Sequence, residues 1–137
     1  MADVNVRLNL DTQRLESQGR RILRPRLRRI LRDIEGQAKE NTPVLTGNLR
    51  RNIGRTGVQT DGMVLSGEVF AHTDYAERVH DGTRPHVIRP RPERGPRAAL
   101  KFTIGGRTLY RKLVHHPGMK PRPFLRNAAE TVARNVR

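Results

Sequence analysis

Residues 23–38 read Leu23-Arg-Pro-Arg-Leu-Arg-Arg-Ile-Leu-Arg-Asp-Ile-Glu-Gly-Gln-Ala38. At about 100° per residue, Leu23, Leu27, Ile30, Leu31, Ile34 and Ala38 fall within roughly 100° of arc, while Arg21, Arg24, Arg28, Arg29 and Arg32 lie outside it. The stretch is an amphipathic helix with one apolar stripe and an arginine-rich outer face. A proline in an uninterrupted helix interior costs about 3 kcal/mol, so Pro25 predicts either a kink or a restart with Pro25 in the first turn. The helix ends near Asn41, because Thr42-Pro43 forms a turn and the residue before a proline avoids helical geometry.

Working outward, Val4-Asn-Val-Arg-Leu-Asn-Leu10 alternates strictly and predicts a strand with Val4, Val6, Leu8 and Leu10 on one face. Asp11 or Thr12 then offers an N-cap. On the other side, Thr46-Gly47-Asn48 predicts the cap of a short helix carrying Leu49 and Ile53. Residues 54–59 and Met63–Phe70 flank Thr60-Asp61-Gly62, whose Asp-Gly pair signals an antiparallel hairpin. Tyr75–His80 suits one or two helical turns stopped by Asp81-Gly82. Arg84 to Pro96 holds four prolines and predicts an extended basic arm with no room for a helix. Ala99–Ile104, Gly105-Gly106 and Arg107–Val114 make a second hairpin. Phe124–Val136 closes the chain as a helix with Phe124, Leu125, Ala128, Ala129 and Val132 inward.

One apolar stripe on each long helix requires a surface to lie on, and the hairpins supply it. The expected fold class is α+β: an antiparallel β-sheet of four to five strands packed by the long N-terminal helix and the C-terminal helix. The 137 residues suit one domain, 1–137, with the Pro/Arg-rich arm at 84–96. Hydrophobic residues make up 34% and aromatics 4%, so the core must come from Leu, Ile, Val and Ala and will be thin. Neither a long apolar run nor a signal-like N-terminus is present, so a soluble intracellular product is expected. Without cysteine there is no disulfide or thiolate zinc site, and a thin, unstapled core draws stability from partners.

Lys and Arg number 28 against 13 Asp and Glu, a net charge of +15. Residues 1–52 carry +6, residues 53–83 carry −3 and residues 84–137 carry +12. An acidic block inside a basic chain suits self-assembly, since one subunit's acidic face can meet its neighbour's basic one.

No catalytic constellation emerges. Ser17 and Ser66 are the two serines, and neither sits in a Gly-x-Ser-x-Gly elbow. No Gly-Lys-Ser/Thr follows the glycines at 54, 57, 105 and 106. His80-Asp81 with His86, and His115-His116, lack the ligand spacing of a metal helix and are read as turn and packing residues. No enzyme, cofactor or metal is expected. The arginines of the long helix can track phosphates, yet no helix-turn-helix or RNA-recognition signature accompanies them.

Three motifs stand in order: Thr42-Pro43-Val44-Leu45-Thr46-Gly47-Asn48-Leu49-Arg50, Tyr75-Ala76-x-x-Val79-His80-x-Gly82-Thr83, and His116-Pro117-Gly118-x-Lys120-x-x-Pro123-Phe124-Leu125. Together they resemble the small tail-completion, head-tail joining and tail-terminator (neck) proteins of long-tailed bacteriophages, over residues 20 to 132. The chain departs from that family's Glu-x-Gly-Thr pattern at His80 and has a longer segment at 84–96. The resemblance implies a non-enzymatic virion protein of the tail or neck, assembled in the host cytoplasm as a homohexameric ring between connector or stopper and tail tube, with DNA passing nearby. The alternative is a small basic nucleic-acid-binding module.

Thr46, Gly47, Leu49, Tyr75, Gly82, Thr83, Pro117, Gly118, Pro123, Phe124 and Leu125 are read as scaffold positions: Thr46 as a cap, Gly82 and Gly118 at positive φ, Phe124 and Leu125 as anchors. The expected subunit or partner contacts are Arg84, Arg89, Arg91 and Arg94 of the arm against Glu68, Asp74, Glu77 and Asp81. The helix face of Arg21, Arg24, Arg28, Arg29 and Arg32 is expected to meet a partner ring.

Overall fold

A computed structural model describes residues 3–11, 17–95 and 97–136. The order is β1 (Val4–Asp11), α1 (Ser17–Asn41), α2 (Asn48–Arg51), β2 (Ile53–Arg55), β3 (Gln59–Asp61), β4 (Val64–Ala71), α3 (Ala76–Asp81), β5 (His86–Ile88), β6 (Leu100–Ile104), β7 (Arg107–Arg111), β8 (Val114–His116) and α4 (Phe124–Asn135). β4 is the centre of a four-stranded antiparallel sheet, with β1 along one edge and β2 and β3 along the other. The class is α+β, with α1 and α4 packed on each other and on the sheet.

β4 alternates buried and half-buried residues along its whole length. Leu65, Gly67, Val69 and Ala71 face the helices, while Val64, Ser66, Glu68 and Phe70 face outward. The stripe of α1 meets that inner row through Leu27, Leu31, Ile34 and Ala38, all buried, and α4 completes the core with Phe124, Leu125, Ala128 and Val132. Val4, Val6 and Leu8 pack against its edge from β1. Gly67 is small for a reason: a Cβ there would run into Leu31.

Several expectations need correction. α1 is one unbroken helix across Pro25, which sits on its exposed side, so it does not restart there. Asp11 belongs to β1 rather than to a helix cap, and Thr12 lies outside the described residues. Ile53 starts β2 instead of continuing the short helix. The first strand of the hairpin is split, because Thr56 bonds Glu68 while Gln59 is opposite Ser66, so Gly57 and Val58 together face Gly67. That bulge turns Val58 into the core. With Asp61 paired to Val64, the turn is Gly62-Met63, one residue later than Thr60–Gly62.

The arm at 84–96 is extended only in its first part. β5 pairs antiparallel with β8, which also takes Val114 out of the second hairpin. Pro92 sits at the start of a 3-10 turn, Pro92–Arg94, because its fixed φ suits the first residue of a helical turn. β6 and β7 form a separate two-stranded ribbon that, among the described residues, packs broadly on no other helix or strand.

Candidate functional site

The three motifs, far apart in sequence, meet at one junction. Asn48 of the first donates its side-chain N–H to the Tyr75 hydroxyl of the second at 3.3 Å. Thr83 of the second and Met119 of the third exchange two backbone hydrogen bonds, at 2.9 and 3.0 Å, and the Arg122 amide donates to the Val79 carbonyl. His80 is buried, edge-on to the Phe124 ring at 5.5 Å, with Nδ1 2.7 Å from Asp81 Oδ1.

Two glycines make this crossing possible. Gly82 has φ +75°, and a Cβ on it would lie 2.5 Å from the Met119 carbonyl oxygen; Gly118 has φ +87° and would drive its Cβ into the Thr83 carbonyl. Gly47, at φ +75°, is the N-cap of α2. Thr46 therefore stands one residue before the cap, its hydroxyl accepting the Asn48 amide at 3.4 Å. Leu49, Phe124 and Leu125 are buried, and Pro117 and Pro123 flank the third motif's descent into α4. From the Thr83–Met119 bridge the chain leaves the body as β5 and β8, continues to β6 and β7, and returns.

The charged candidates divide into three groups. On α1, Arg21, Arg24, Arg28, Arg29 and Arg32 are all exposed. Arg24 donates to the Val58 carbonyl on the bulge at 3.2 Å. Arg28 borders a cleft with Glu35 and Arg55, where Glu35 pairs with Lys39 at 2.7 Å and with Arg55. Burial alone would raise the Glu35 carboxyl, but the hydrogen bonds and charges of Lys39 and Arg55 outweigh it and hold it below the usual range. Among the described residues Arg21, Arg28, Arg29 and Arg32 form no ion pair.

The acidic residues are not one patch. Glu68 sits on the outer face of β4 in an ion pair with Arg7 at 2.6 Å. Asp74, Glu77 and Asp81 are exposed on and just before α3, spaced to share a helix side. Asp74 and Glu77 have no cationic partner among the described residues. In the arm, Arg84 precedes β5, Arg89 follows it, Arg91 precedes the 3-10 turn and Arg94 ends it, all exposed.

Sequence reasoning missed an apolar surface. In the loop before α2, Val44 is 62% exposed and Leu45 97%, and Tyr75 is exposed beside Asn48. On the ribbon Ile104 and Tyr110 are 63% and 59% exposed. The available signal was the apolar Val-Leu pair between a proline and a glycine, in a loop with no room to bury both. A cleft between α1 and the end of α4, about 590 Å³, is bordered by one carboxylate, Asp33, and by no histidine. No helix is long and apolar enough to cross a membrane among the described residues.

A family model described as "Bacteriophage HK97-gp10, putative tail-component" matches residues 7–82. The match runs from β1 through Gly82, enclosing the first motif and the second as far as Gly82, and stopping before the ribbons. No curated protein and no solved structure matches.

Proposed function

The chain belongs to the HK97-gp10-like family of bacteriophage tail components, and from that premise we propose that it is a structural virion protein forming a ring at the head-tail junction. In this reading it acts as a tail-terminator or tail-completion subunit, six copies following the sixfold symmetry of a tail tube, between connector or stopper and tube. Residues 1–137 work as one domain, assembled in the host cytoplasm and retained in the virion. The family match carries the proposal. Supporting it is the separation of charge that forms no ion pair among the described residues, Asp74 and Glu77 at the start of α3 and the arginines along 84–94, which lets copies of one chain attract each other. The arm at 84–94 is then a contact to the neighbouring subunit or the adjoining ring.

The test is direct. Mass spectrometry of purified virions should find the protein, and electron microscopy should place six copies where tail meets head. Its absence from virions, or a stable dimer there, overturns the proposal. A second reading, a nucleic-acid-binding module, is favoured by Arg21, Arg28, Arg29 and Arg32 of α1, which form no ion pair among the described residues. Gel shifts at rising salt separate the two: sequence-dependent DNA binding that persists at physiological salt favours the second, weak binding that vanishes with salt the first.

A further inference from the structure

The β6–β7 ribbon has one apolar face, half-buried at Leu100, Phe102 and Leu109 and open at Ile104. Its register pairs Leu100 with Arg111, Phe102 with Leu109 and Ile104 with Arg107, so these six side chains share one side. The result is an apolar strip rimmed by two arginines. An isolated two-stranded ribbon is marginal in water at best, and among the described residues this one has no helix or further strand packed broadly on it. Between Glu93 and Glu130 the chain carries no carboxylate side chain, so the ribbon's field is wholly positive.

The same chain carries the complement. Val44 and Leu45 project from the loop before α2, three residues from the Asn48 that touches Tyr75, and Tyr75 lies between Asp74 and Ala76 at the head of α3. That surface is apolar, with the Arg51 guanidinium beside Gly47 on one side and, on the other, Asp74 and Glu77, which form no ion pair among the described residues. We propose that the ribbon of one copy docks on the Val44–Leu45–Tyr75 surface of the next, Phe102, Ile104 and Leu109 covering the apolar side chains while Arg107 and Arg111 face Asp74 and Glu77. This rests on the ring proposed above and specifies its contact. A second copy is the occupant because apolar surface and opposite charge match within one sequence. Two different surfaces meeting head to tail form a heterologous contact, the kind that closes rings.

The absence of cysteine makes the test clean. A Leu45→Cys, Ile104→Cys double variant, assembled into tails by complementation and oxidised, should give a non-reducing ladder of covalent multimers ending at the ring's copy number. Either single variant should stop at a dimer or below. Protein present in oxidised tails without a ladder, or linked only within its own chain, overturns the docking and leaves the ring standing. Absence of the wild-type chain from tails overturns the ring itself. If the double variant does not assemble, mixing purified full-length chains decides. Leu45→Asp keeps a working ribbon and Ile104→Asp a working receiving surface, so each alone should be monomeric and the equimolar mixture should give dimers and nothing larger. A mixture that stays monomeric, or a Leu45→Asp chain that assembles like wild type, refutes the contact.

Discussion

Gly67 and Glu35 hold the centre of the fold in different ways. Gly67 lets the fully buried Leu31 reach the sheet, and a single methyl would collide with it. Gly67→Ala should destabilise the chain by about 1–3 kcal/mol, the usual range for an overpacked core. Chemical denaturation of Gly67→Ala alone and combined with Leu31→Ala checks the mechanism: the two losses should be less than additive, because they share one space. Strict additivity would place the cost elsewhere. Glu35 fastens α1 to β2 through Arg55. Its carboxyl is depressed in the folded chain, so its contribution is complete above the unfolded value of about 4.3 and is lost as pH falls through the lower folded value. The stability gap between wild type and Glu35→Gln should therefore be largest near neutrality and shrink in acid. A gap independent of pH between 7 and 3 would contradict this.

The elements differ in what supports them, and their dynamics should follow. β4 is flanked on both edges and backed by α1, whereas β6 and β7 lean mainly on each other. In hydrogen exchange on unassembled protein, amides of β4 and of the inner face of α1 should be the slowest, and those of β6 and β7 should exchange orders of magnitude faster. Assembly should slow the ribbon and leave β4 unchanged; a ribbon as protected as β4 before assembly would contradict the inference. The same contrast explains what sequence could reveal. The stripe from Leu27 to Ala38, the alternation from Val4 to Leu8 and the inner row of α4 are local periodicities, and each folded as its pattern reads. Val58 could not be placed, because its burial depends on a bulge set by Gly67 across the sheet. The β5–β8 pairing joins His86 to His116, thirty positions apart in number, and the turn signal between them, Gly105-Gly106, closes β6 on β7 instead. Leu45 carries no periodicity of its own within the first motif, and only its 97% exposure shows it as a surface feature.

At the scale of the whole molecule the question is which way the arginine face of α1 points in the proposed ring. Arg24 is tied to the bulge and Arg28 lies beside Glu35, but Arg21, Arg29 and Arg32 are exposed and unpaired among the described residues. Arginines in a DNA channel would each hold a phosphate with charge-assisted hydrogen bonds, and repetition around a ring would multiply that grip and brake ejection. A passage for sliding DNA works against such contacts, whereas a stationary acidic partner ring gains from them. In the proposed ring the face is therefore expected on the partner side. Arg28→Glu with Arg32→Glu should abolish head-tail joining while leaving tube length and the isolated subunit's unfolding midpoint near wild type, since both side chains are exposed. Joined particles with altered DNA retention or ejection would put the helix in the channel instead. Electron microscopy of lysates, counting free tails against joined particles, separates these outcomes.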